Sequence, residues 1–79
     1  MDRQSLRKLL DREDVDPDAY SLGAASRDDT YVLEQTADRW EVYFSERGLR
    51  IGERHFTTED EACRHLLDLL LRDSTTRRR

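Results

Sequence analysis

Seventy-nine residues, 35% hydrophobic and 41% charged, suffice for one small domain with a thin core, because a chain this short buries only about 60% of its unfolded surface. A net charge of −4 disfavours nucleic acid as a partner, and a single cysteine, Cys63, excludes an internal disulfide. No charged-then-apolar leader opens the chain, and its longest leucine-rich run, LLDLLL at 66–71, falls well short of the roughly 20 residues that cross a bilayer, so a reduced, cytoplasmic setting is expected.

Leu6, Leu9 and Leu10 recur at i, i+3, i+4 in a segment rich in Arg, Lys and Gln, which predicts a short amphipathic helix with Asp2 as its N-cap. The helix should stop near Asp14, because Val15 is β-branched and Asp16 precedes Pro17. Asp16-Pro17-Asp18 reads as a turn or as the cap of one further helical turn. Tyr20 and Leu22 alternate as a brief strand near 20–22 would, and GAASRDD at 23–29 follows as a polar loop.

Three firmer strands come next: TYVLEQT (30–36), WEVYFSE (40–46) and LRIGERHF (49–56), separated by turns at Ala37-Asp38-Arg39 and Arg47-Gly48. Such short connections force antiparallel neighbours and hence a meander. In the middle strand Trp40, Val42 and Phe44 share one face, the core side, while Glu41, Tyr43 and Ser45 share the other. Leu49 and Ile51 have one parity in the last strand and Phe56 the other, so Gly52 is expected to be a bulge that resets the register.

Thr58-Glu59-Asp60-Glu61 matches the S/T-x-x-E capping box and opens a second helix. Ala62, Leu66, Leu69 and Leu70, with Cys63 and Leu67, form its apolar stripe, opposite Arg64, Asp68, Arg72 and Asp73. The expected fold is therefore α+β: a short N-terminal helix, a three-stranded antiparallel meander with a short fourth strand near 20–22, and a C-terminal helix on one sheet face. Residues 1–73 form the domain, and 74–79, which have no apolar anchor, form a disordered basic tail.

Little in the chain points to catalysis. Cys63 and His65 are two apart on a helix and point to different faces, and His55 with His65 would be one ligand short of a catalytic zinc site. No Ser-His-Asp set, P-loop or GxGxxG occurs, so neither an enzyme, a cofactor nor a metal is expected. The outer meander face is more informative, since Tyr43 lies there with Glu41 and Ser45, flanked by Glu53 and His55, and with Glu46-Arg47 at the rim. Tyr and Arg dominate interface hot spots, which makes Tyr43, Glu46, Arg47 and Arg54 the candidate partner-binding set. The plainer account is cross-strand pairing of opposite charges worth a few tenths of a kcal/mol each.

Five acids between Asp11 and Asp18 are relieved only by Arg12, which favours a basic protein partner. Six arginines (27, 39, 47, 50, 54 and 72) would have to gather on one surface to bind nucleic acid, but acids accompany them, as in Glu46-Arg47 and Glu53-Arg54. Charged Arg50 and Glu53 also oppose edge-to-edge pairing, so a monomer is expected. A protein-binding module is thus the leading expectation, with a small regulatory domain for a small molecule or nucleic acid as the alternative.

The pattern W-x-V-Y-x-S-E-R-G at 40–48, followed by F-x-T-E-x-E-A-C at 56–63 and preceded by DAYSLG at 18–23, resembles a group of small bacterial domains over about residues 20–70. Some of these are encoded beside secreted toxins. The resemblance implies a small α+β binding protein with an immunity-like or accessory role and carries over no catalytic residue. Arginine dominance over the single Lys8 fits the coding bias of a G+C-rich bacterial genome.

Overall fold

The computed structural model describes residues 1–23 and 27–77. Helix α1 (Arg3–Arg12) begins where the Asp2 carboxylate accepts the Ser5 backbone N–H at 2.8 Å. It ends in a Schellman closure: Val15 N–H donates to the Leu10 carbonyl at 3.0 Å, and Asp14 N–H donates to that of Asp11 at 3.1 Å. Asp14 takes the left-handed position, at φ 63°, and the closure returns Val15 to the same buried core as Leu10.

A 3-10 turn at Pro17–Ala19, capped by Asp16, leads into β1 (Tyr20–Ser21). Strands β2 (Thr30–Gln35), β3 (Trp40–Glu46) and β4 (Leu49–Phe56) then form the expected antiparallel meander. The architecture is α+β with a four-stranded mixed sheet in the order β1-β2-β3-β4. The fourth strand is present, but it pairs parallel to β2, Tyr20 opposite Tyr31 and Ser21 opposite Val32.

Helix α2 (Glu59–Arg72) starts at the capping box, where Thr58 Oγ1 accepts the Glu61 N–H at 3.2 Å and donates to the Glu61 carboxylate at 3.0 Å. Both helices contribute to one core, in which Leu6 and Leu10 of α1 and Ala62, Cys63, Leu66 and Leu70 of α2 meet Leu33, Trp40 and Val42 of the sheet. Arg3 ties the helices together, since its backbone N–H and its Nε reach Glu59 Oε2 at 2.9 and 3.3 Å while its guanidinium lies 5.0 Å from the Trp40 ring centroid. No helix among the described residues is long and apolar enough to cross a membrane.

The bulge lies where the parities required it. Val42 pairs with Arg54 and Phe44 with Ile51, so Gly52 and Glu53 together oppose Tyr43. Gly52 has φ 66°, a conformation that a residue bearing a Cβ adopts only under strain. The chain end departs from the expectation of a disordered tail from 74 onward. Ser74–Thr76 form a 3-10 turn, Thr76 is buried with its hydroxyl bonded at 2.8 Å to the carbonyls of Leu70 and Asp73, and Arg77 bridges to Val15. Hydroxyl and backbone hydrogen bonds supply the anchor that apolar side chains do not. The remaining tail residues, Arg78 and Arg79, lie outside the described residues.

The two-residue β3–β4 hairpin has both central residues left-handed, Arg47 at φ 50° and Gly48 at φ 79°, the arrangement that favours Asn-Gly. Replacing Arg47 with Asn should raise stability by about 0.5–1 kcal/mol in urea unfolding, because Asn occupies this conformation at lower cost than Arg.

Candidate functional site

The meander carries two surfaces of different character. On the face away from the helices lie Thr30, Val32 and Glu34 of β2, Glu41, Tyr43 and Ser45 of β3, and Arg50, Glu53 and His55 of β4. Although the helices pack on the other side, Tyr43 retains only 2% of its exposure, because the Arg50 guanidinium lies 4.3 Å above its ring centroid. Arg50 Nη1 also donates to Glu41 Oε1 at 2.8 Å and Glu53 Oε2 at 2.9 Å, and Nη2 donates to Glu34 Oε2 at 3.2 Å. Tyr43 Oη donates to the same Glu34 oxygen at 3.2 Å.

The network extends on the far side of Glu41. Arg39 Nε approaches Glu41 Oε2 at 3.3 Å, and His55 Nε2 lies 3.5 Å from that oxygen and 3.1 Å from Glu53 Oε1. Glu41 is thus buried with its charge held by guanidinium partners, as a buried carboxylate requires. Hydrogen bonds to Glu53 and then Glu41 push the Arg50 pKa far above its ordinary value, and Arg50 in turn holds the Glu53 carboxyl below the usual range. Burial, followed by the charge of Glu34, raises the Tyr43 phenol.

The second face is the groove between β4 and α2, a cavity of about 530 Å³ with Tyr31, Phe44, Ile51 and Leu69 on its floor and Arg54 and His65 among its charged lining. Tyr31 and Phe44 stack edge-to-face at 4.8 Å. Ile51 and Leu49 are the large exposed hydrophobics among the described residues, 46% and 65% exposed. Arg54 has no carboxylate within ion-pair distance among the described residues. Burial and then the Arg54 charge hold the His65 pKa below its ordinary value.

The four expected contact residues do not share a surface. Tyr43 is on the outer face beneath Arg50, and Arg47 forms the hairpin turn. Glu46, opposite Leu49, and Arg54, opposite Val42, belong to the helix-side register. The extra residue at Gly52 carries Arg54 to that side. The hub of the outer face, Arg50, was missing from the expected set; the two-residue hairpin sets it opposite Ser45, and the bulge then brings Glu53 to the same face.

Among the possible reactive groups, Cys63 is fully buried and burial pushes its thiol up to about 11, which suits a core side chain rather than a nucleophile. His55 and His65 fall on opposite sides of the sheet, so they cannot share an ion. Among the described residues, Glu41, Glu53 and His55 form the cluster whose ligand atoms could hold one, all within 4.8 Å of one another. No family model, curated protein or solved structure matches the chain.

Removing the hub should be felt throughout the outer face. Arg50→Ala should lower stability by about 1–2 kcal/mol in urea unfolding, a figure discounted for the exposure of this guanidinium, and Arg50→Lys should recover only part of it because an ammonium cannot fork between three carboxylates.

Burial also imposes a pH dependence. The folded protein holds the protons of Cys63, Tyr31 and Tyr43 more tightly than the unfolded chain does. The thiol's contribution is therefore complete below its unfolded pKa, 9.0, and is lost as pH rises toward about 11, and the two phenols act in the same direction. Denaturation midpoints followed from pH 8 upward should decline across that window, and Cys63→Ala should remove the thiol's share of the slope.

Proposed function

We propose that this chain is a non-enzymatic protein-binding module that receives a segment of a partner protein in the groove between β4 and α2. The observation that carries this reading is exposed Ile51 in the same groove as Arg54, a guanidinium without a carboxylate partner among the described residues. An apolar anchor over a cation suits a partner segment that pairs a large apolar side chain with an Asp or Glu. Glu46 pairs with Leu49 and Arg47 forms the adjoining hairpin turn, beyond the residues that line the groove.

The Gly52 bulge interrupts the ladder along the outer edge of β4, so recognition would run through side chains rather than through an added strand. The same feature and the charged side chains of β4 oppose pairing between two copies, in keeping with a monomer. An immunity-like or accessory role, in which binding blocks or stabilises another protein, is one form of this reading.

The cleft of about 800 Å³ between α1 and β1, lined by Gln4, Arg7, Lys8, Asp11 and Tyr20, favours a second reading as a receptor for a small polar ligand. A metabolite that raised Tm in the wild type and not in Arg7→Ala would favour it.

Capture from native cells with the wild type, Ile51→Asp, Arg54→Glu and the outer-face control Glu34→Gln separates the surfaces. A protein held by the wild type and the control should be lost from both groove variants, and with that protein purified the affinity should fall about 30-fold or more. Equal retention by all four baits would refute the groove as the docking surface.

A further inference from the structure

The outer-face cluster brings two carboxylates and an imidazole together, their ligand atoms within 4.8 Å of one another. Glu41 Oε2 and Glu53 Oε1 both turn toward His55 Nε2, at 3.5 and 3.1 Å, while the opposite oxygens, Glu41 Oε1 and Glu53 Oε2, are held by Arg50 Nη1 at 2.8 and 2.9 Å. Zinc bonds of about 2.0–2.1 Å in a tetrahedron place neighbouring ligand atoms about 3.3 Å apart, a value the two measured separations bracket. We propose that Glu41, Glu53 and His55 form a binding site for a divalent transition-metal ion, with Zn2+ the best match.

Each residue has a definable part in such a site. Neutral His55 offers an Nε2 lone pair, and an imidazole ligand selects zinc-like ions over Mg2+ and Ca2+, which prefer all-oxygen shells. Arg50 acts behind the ligands, fixing both carboxylates through the oxygens that do not face the ion. Glu41 is buried and rigid, whereas His55 and Glu53 are exposed enough for an ion to enter and to keep water or a partner's side chain in the remaining position.

Charge permits the ion without demanding it. The carboxylates of Glu34, Glu41 and Glu53 face the guanidiniums of Arg39 and Arg50, so the cluster carries excess negative charge while His55 is neutral. Arg39 is the competitor, because its Nε lies 3.3 Å from Glu41 Oε2, the oxygen the ion needs. The site lies on the opposite side of the sheet from the β4–α2 groove, so its success or failure is independent of the protein-binding reading.

The test uses the full chain without an affinity tag, titrated with zinc chloride and, separately, magnesium chloride. Zinc should bind at one equivalent per chain by calorimetry and raise Tm by about 3 °C or more at saturation, with no response to magnesium. His55→Ala should weaken zinc about tenfold or more, His65→Ala should leave it unchanged, and Arg39→Ala should tighten it several-fold by releasing Glu41 Oε2. Imidazole NMR resonances of His55, and not those of His65, should shift with zinc in the wild type, a readout that does not depend on how any variant folds. Absence of binding up to millimolar zinc, equal shifts at both histidines, or unchanged affinity in folded His55→Ala would each overturn the proposal.

Discussion

One additional residue in β4 determines what each face of this protein can do. In an unbulged strand Arg50, Gly52 and Arg54 would share a face, and Glu53 and His55 would lie on the other with Ile51. The two-against-one step at Gly52 breaks that alternation, so Arg50, Glu53 and His55 converge on Glu41 while Ile51, Arg54 and Phe56 turn toward α2. Both the ionic cluster and the apolar groove follow from a left-handed backbone position at φ 66° that glycine occupies without strain.

The two faces are stabilised by different means. On the inner side, α1 and α2 bury Trp40, Val42 and Leu33 in an apolar core whose formation follows from periodicity alone. On the outer side a guanidinium takes the place of a packing layer: Arg50 lies over the Tyr43 ring and bonds three carboxylates. No buried side-chain polar atom among the described residues is left without a partner, as a folded network of this kind requires. Such a network adds modest net stability, yet it fixes the rotamers of Glu41, Glu53 and His55 relative to one another.

Much of this was legible in the chain. The leucine spacing of α1, the capping box of Thr58 and Glu61, the alternation of β3 and the parity conflict between Ile51 and Phe56 each mapped onto a structural feature, because each is a local pattern with a fixed period. The parallel pairing of β1 was not legible, since a strand of two residues has no period to read. The order of Ser74–Arg77 escaped for a related reason: Thr76 is anchored through its hydroxyl and backbone, a bond that hydrophobic patterning does not register. The Glu41, Glu53 and His55 cluster was hidden because histidines and cysteine alone were weighed as ligands, and carboxylates join the set only when the register brings them beside an imidazole.

Charge satisfaction differs between the two surfaces. Arg50 already holds three carboxylates and an aromatic face, so a partner's acid would have to displace bonds that exist. Arg54 makes no such bonds among the described residues, and it stands beside exposed Ile51, whose burial by a partner would remove apolar surface from water. A cation committed within its own fold contributes order, whereas one left uncommitted at the edge of an apolar groove retains most of its interaction energy for a second molecule. That contrast in charge satisfaction is what distinguishes the groove from the outer cluster.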